Sequence, residues 1–188
     1  MARPKTIHID RKKVIDETIK ILEHHGLEGF NLRKLAHNLA AHPSSVYHYF
    51  DGRASILSAA AGHVLREIEV PQPNDDWQEW AVDVTMNYWK TLARRPFVIP
   101  ILLAGYEPAT EVRARLGAMM DGVGIDPDRQ VEINRAVEAC VFGFVMEYAA
   151  KGAGDARAAE VKSDQTAAML RKILTFIFAG LPDLNAAG

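Results

Sequence analysis

The 188-residue sequence predicts an all-α protein of about nine helices. Three observations carry that prediction. Apolar residues recur at helical spacing in one segment after another, and glycine and proline punctuate the chain where helices would end. No stretch of any length alternates apolar and polar residues as a half-buried strand would.

In chain order, Asp10 suits the cap of a first helix running to about His25, with Gly26 as a left-handed stop. His24 and His25 then sit in the last turn, near the negative end of the helix dipole. Neighbouring residues on a helix point about 100° apart, so this pair is not read as a metal site. Residues 1–9, with Arg3 and Lys5, read equally well as a basic arm that adds phosphate contacts or as a tail without a role.

Asn31 to Arg53 is the most informative stretch. Leu32, Leu35, Ala36 and Leu39 fall at i, i+3, i+4 and i+7, which predicts a short amphipathic helix. Ala40-Ala41-His42 reads as a turn. Pro43 suits the first position of a second short helix, where its missing N–H costs nothing, and Val46, Tyr49 and Phe50 form its buried stripe. Ser44, Ser45, Tyr47 and His48 are left facing outward, with hydrogen-bonding groups able to reach base edges and phosphates in a major groove. Asp51-Gly52 ends that helix, and Arg53 opens the next with a cation where a phosphate could sit. Two short helices, a tight turn and a third helix make a helix-turn-helix DNA reader.

The third helix of that series is expected to continue to about Glu69, where Pro71-Gln72-Pro73 stops it. Asp75 or Asp76 caps a helix from Trp77 to about Arg94, and Pro96 and Pro100 break the stretch that follows. Glu107-Pro108 begins a helix to about Met120, closed by the loop Gly122-Val123-Gly124. Asp126-Pro127 is a cap followed by proline at the first helical position, opening a long helix to about Lys151. After a Gly/Ala-rich loop from Gly152 to Ala159, a last helix from about Ser163 to Ala179 carries an apolar arc too wide for packing on one side only. These boundaries divide the chain into a DNA reader (1–52), a connecting helix (53–70) and an effector-binding and dimerisation domain (71–188).

Charge supports the division. Residues 1–66 hold ten Lys/Arg against six Asp/Glu, a net of +4, and residues 67–188 hold twelve against eighteen, a net of −6. The overall charge of −2 thus hides a basic head on an acidic body, as a nucleic-acid footprint confined to one small domain requires. The single cysteine, Cys140, excludes an intramolecular disulfide, fits a reducing compartment, and reads as a core thiol. No signal-like segment and no run of about 18 apolar residues is present, so a cytoplasmic protein with no membrane partner is expected.

No metal-spaced Cys/His set, nucleophile elbow, phosphate loop or dinucleotide fingerprint occurs, so neither an enzyme nor a cofactor is expected. Trp80, Met86, Tyr88, Trp89, Phe97, Tyr106, Met119 and Met120, all in the middle helices, form a group suited to an adaptable apolar effector site, although most would equally fill a core. Val137, Val141 and Phe144, with Ile173, Phe176 and Ile177, are the candidate dimer interface. Small residues Ala136, Ala139 and Gly143 let helices approach closely there.

The stretch from Val14 to Leu57 resembles the Tet-repressor (TetR/AcrR) family of bacterial transcriptional regulators. The resemblance rests on His25-Gly26, Leu27-Glu28-Gly29-Phe30, Arg33-Lys34-Leu35-Ala36 and Val46-Tyr47-x-Tyr49-Phe50. It implies base contacts from Arg33, Ser44 and Ser45, and phosphate contacts from Tyr47, His48 and Arg53, with Pro43 at the start of the recognition helix. Ala40 stands where the family often has a turn glycine, His42 where Ser or Thr usually caps the recognition helix, and Arg53 where lysine is usual. The resemblance further implies a small-molecule site in the middle helices. Tetracycline-binding members carry a histidine near the end of the fourth helix, where this chain has Glu69, which argues against tetracycline.

The resulting expectation is a ligand-responsive regulator, a repressor, acting as a homodimer on a double-stranded operator and released by an organic effector. The alternative is a helical carrier of small molecules with a vestigial reader. A helical-bundle scaffold leaves the charge split and the outward Ser44, Ser45, Tyr47 and His48 unexplained.

Overall fold

The computed structural model describes residues 9–72, 74–106, 111–151 and 156–181. They form helices only: α1 (Arg11–His25), α2 (Leu32–Asn38), α3 (Pro43–Tyr47), α4 (Arg53–Leu65), α5 (Trp77–Arg94), α6 (Val98–Leu103), α7 (Glu111–Gly122), α8 (Pro127–Lys151) and α9 (Ala156–Ala179). The chain divides into two compact units, one of Met1–Val64 with Phe97–Pro108 and one of Leu65–Pro96 with Ala109–Gly188.

In the first unit, Val14, Ile15, Ile21 and Leu22 of α1 meet Leu35 and Ala36 of α2 and Val46 of α3 in a core closed by Phe30 and Phe50, all buried. Side-chain caps start α1 and α2. Asp10 accepts from the Lys13 amide at 2.8 Å and Asn31 from the Lys34 amide at 2.8 Å. The α2–α3 turn is a Schellman closure, in which the Ala40 amide donates to His37 O at 3.0 Å and the Ala41 amide to Ala36 O at 2.9 Å. It places Ala40 at φ +48°, the left-handed region that disfavours a Cβ. The same closure ends α6 at Gly105 (φ +80°) and α7 at Gly124 (φ +74°), where glycine avoids that cost. Ala40→Gly is therefore expected to stabilise the reader by a few tenths to about 1 kcal/mol, the relief of strain exceeding the added chain entropy. A higher urea midpoint checks it, and an unchanged or lower one counts against strain in this turn.

The helices differ from expectation in several places. Helix α4 ends at Leu65, four residues before Glu69. Val70 precedes Pro71 and is disfavoured in the helical region, and the freed carbonyls are claimed by α5: Asn87 Nδ2 donates to Glu69 O at 2.9 Å and Trp80 Nε1 to Pro71 O at 2.9 Å. Pro100, expected to break structure, lies inside α6, at its third position, where a backbone N–H has no intrahelical acceptor to lose.

In the second unit α5 lies against both α8 and α9. Trp77 meets the Phe178 ring at 6.3 Å and 79°, and Trp89 meets the Tyr148 ring at 6.1 Å and 72°. Arg171 ties α9 to Asp83 of α5 at 2.5 Å, and Arg113 ties α7 to Glu138 of α8 at 2.6 Å. Asp76 caps α5 through the Glu79 amide at 2.9 Å, and Asp126 caps α8 through the Arg129 amide at 3.0 Å. Helix α9 starts at Ala156, earlier than Ser163, so the residues expected as loop are helical from 156 onward. Arg3, Lys5, Glu107 and Pro108 lie outside the described residues.

Candidate functional site

The outward face of the small helical unit is built on a scaffold braced from three sides. Asn38 Nδ2 of α2 donates to Glu17 Oε1 of α1 at 2.8 Å. Arg11 Nη1, at the start of α1, donates to Tyr49 O at 2.8 Å while its guanidinium stands 4.3 Å over the Phe50 ring. The Tyr49 hydroxyl donates to Ile9 O at 2.9 Å. These ties fix the end of α3 against the start of α1, and no local pattern announces them, because the partners lie 38 and 40 positions apart.

On that scaffold α3 turns Ser44, Tyr47 and His48 to solvent, with Pro43 and Ser45 half-buried beside them. Tyr47 is 54% exposed, far more than a core role for an aromatic ring would leave it. Arg33, in the first turn of α2, is exposed as well. The start of α3 is held by His42, whose Nδ1 lies 2.8 Å from Ser44 Oγ and accepts the Ser44 amide at 3.3 Å. The imidazole thus takes the capping role usually given to Ser or Thr, and does so in the tautomer with a bare Nδ1.

Arg53 is exposed, but one of its N–H donors is committed: Nη2 donates to Leu27 O at 3.0 Å, and the guanidinium lies 5.9 Å from the Phe30 ring centroid. It braces the α1–α2 loop, with four further donors left for other contacts. Lys12, on the exposed side of α1, pairs with Asp16 at 2.6 Å, and that hydrogen bond raises its pKa above the ordinary lysine value. The described residues contain no group of three or more His, Cys, Asp or Glu placed to hold a metal ion. No described helix is long and apolar enough to cross a membrane.

The residues expected to bind an effector do not share one environment. In the second unit Trp80, Met86, Trp89 and Met120 are buried, and Tyr88 and Met119 are half-buried. Trp80 spends its indole N–H on Pro71 O and so anchors the segment before α5. Phe97 and Tyr106 belong to the first unit, so the eight do not form one cluster within either unit.

The expected dimer residues divide in the same way. Val137 and Val141 are buried within their own chain, and Phe144 and Ile177 are half-buried. The outer apolar side of α9 is the stripe Met169, Ile173 and Phe176, at spacings of four and three, with Met169 and Phe176 exposed, Phe176 to 83%, and Ile173 half-buried between them. On α8 the exposed side carries Ala136, Ala139, Gly143 and Met146, at spacings of three, four and three. Cys140 is half-buried rather than in the core.

No family model matches the chain. The tetracycline repressor class D of Escherichia coli is 26% identical over 89 residues, 46% of this chain and 41% of the repressor, so the match spans less than half the length of that relative. Among solved structures, a TetR from Acinetobacter baumannii AYE in complex with minocycline superposes with a TM-score of 0.71 at 23% identity, covering 92% of this chain and 96% of that one. BioQ with its natural double-stranded DNA operator superposes with a TM-score of 0.68 at 21% identity, covering 92% and 98%. The reader stretch is thus similar in sequence to a tetracycline repressor, and the fold is shared with solved TetR structures along almost its whole length.

Proposed function

We propose that the protein is a ligand-responsive transcriptional regulator rather than an enzyme, a repressor that binds a pseudo-palindromic operator as a homodimer and leaves it when an organic effector binds. The observation that carries this reading is the face made by Arg33 of α2 with Ser44, Tyr47 and His48 of the recognition helix and its end: hydrogen-bonding side chains left in water on two helices that are capped and braced. A carrier with a vestigial reader would have no use for a solvent-facing Tyr47 or for His42 as a cap, and nothing in the structure favours it. Release by an effector requires that the effector bind the two conformational states with different affinity, since equal affinity shifts nothing. Cytoplasmic action follows from the same reading.

The test is binding to operator and to random duplexes across a range of salt. Wild type is expected to prefer its operator at physiological salt, and Arg33→Ala to lose about 1–3 kcal/mol of that preference. Arg53→Ala is expected to weaken all duplexes alike, flatten the salt dependence, and also lower the stability of the reader, because the Leu27 brace goes with it. Equal affinity of the wild type for operator and random DNA defeats the proposal.

A further inference from the structure

One buried donor of the second unit finds no hydrogen-bond partner among the described residues. Trp89 is 3% exposed, and its indole Nε1–H has no hydrogen-bond partner among the described residues. Buried tryptophan donors are normally satisfied, because an unmade hydrogen bond in a dry interior forfeits the one lost to water. Trp80, nine residues earlier on the same helix, shows the usual outcome, with its N–H on Pro71 O at 2.9 Å. Trp89 instead meets the Tyr148 ring, edge to face at 6.1 Å, and Tyr148 is half-buried with no hydrogen bond to its own hydroxyl among the described residues.

The surroundings restrict what could supply the missing acceptor. The turn of α5 before Trp89 carries Thr85, whose hydroxyl is spent on Ala81 O at 2.8 Å, and the buried Met86. The stripe of α8 leading to Tyr148 carries Val141 and Val145, both buried. Neither stripe holds an ionised side chain to balance a ligand charge, and an unbalanced charge in such surroundings is strongly disfavoured. Flat aromatic faces with an adjustable methionine suit a planar body.

We propose that the effector is a neutral, planar molecule bearing a hydrogen-bond acceptor, such as a ring carbonyl, and that it is read between α5 and α8 by the Trp89 Nε1–H with Tyr148 alongside. This deepens the ligand-responsive reading and rests on it.

The matched probes are 9-fluorenone and fluorene, which share a planar tricyclic frame and differ by the carbonyl. The chain has three tryptophans, so the indole region of a 1H–15N spectrum holds three resolved signals, and Trp89→Phe identifies the one of interest. Fluorenone is expected to move the Trp89 indole proton downfield and fluorene to leave it in place. In calorimetry wild type should bind fluorenone about tenfold more tightly than fluorene, the scale of one good hydrogen bond, and Trp89→Phe should bind the two alike. The inference is overturned if fluorenone leaves the signal unmoved, if wild type does not discriminate the probes or binds neither at their solubility limit, or if discrimination survives in Trp89→Phe. The spectrum of the wild type decides the matter even where the variant folds poorly. Operator binding by wild type without probe is measured in parallel: its presence with a failed probe arm removes only the Trp89 assignment, and its absence removes the regulator reading.

Discussion

Replacing Phe176 and Met169 together by glutamate is expected to leave the protein monomeric at micromolar concentration and to lower operator affinity by about 100-fold or more. Phe176 is 83% exposed and Met169 59% exposed, and with Ile173 they form one apolar stripe on α9. Soluble monomers seldom leave such stripes in water, and the exposed face of α8 offers Ala136, Ala139 and Gly143, whose small side chains allow a second helix to come close. Gly143 has open space where a Cβ would stand, as an unfilled contact surface would. A C2 contact of α8 and α9 with their symmetry mates would bury the stripe of each copy, and two carboxylates on each copy would then be desolvated without partners. One reader grips only a half-site, and recognition of a full operator needs two held about 34–36 Å apart, so loss of the dimer removes the effective-concentration gain of the second reader. Sedimentation velocity and an operator titration measure both effects. A double variant that remains dimeric places the interface elsewhere.

The second large effect concerns the reader. Leu35→Ala is expected to destabilise it by about 2–5 kcal/mol and to abolish specific DNA binding at 37 °C. Leu35 is fully buried in α2, and the cavity left by its truncation would be lined by side chains held by the short α2 and α3, which depend on one another's packing for their existence. Leu35→Met, which conserves volume, should keep most of the stability and the binding. Urea unfolding followed alongside an operator titration checks the pair, and wild-type DNA affinity in Leu35→Ala would show that the reader does not depend on this core.

Helix α1, the α2–turn–α3 stretch, the capped starts of α5 and α8 and the outward Ser44, Tyr47 and His48 were legible because each is written in local terms. A cap residue, an apolar spacing and a Gly or Pro at the proper offset all act within a few residues of one another. The likeness to Tet repressors lay in the same local stretch. Where local rules fell short, a long-range contact had intervened. Asn87 and Trp80 take the carbonyls of Glu69 and Pro71, so α4 stops at Leu65. On α8 the spacing announced an apolar stripe but could not say whether its own chain or a partner would cover it, and Val137 and Val141 proved to be core.

The sequence by itself determined that this is an all-helical protein with a basic helix-turn-helix head, since helix periodicity, capping and charge are properties of neighbouring residues. Only the tertiary structure decided which cations are braces, with Arg11 on Phe50 and Arg53 on Leu27, which tryptophan keeps a donor unspent, and which apolar residues remain in water. Those outcomes depend on groups tens of positions apart in the chain, and a hydrogen bond or a buried contact forms only where the packed core brings its two halves within a few ångströms.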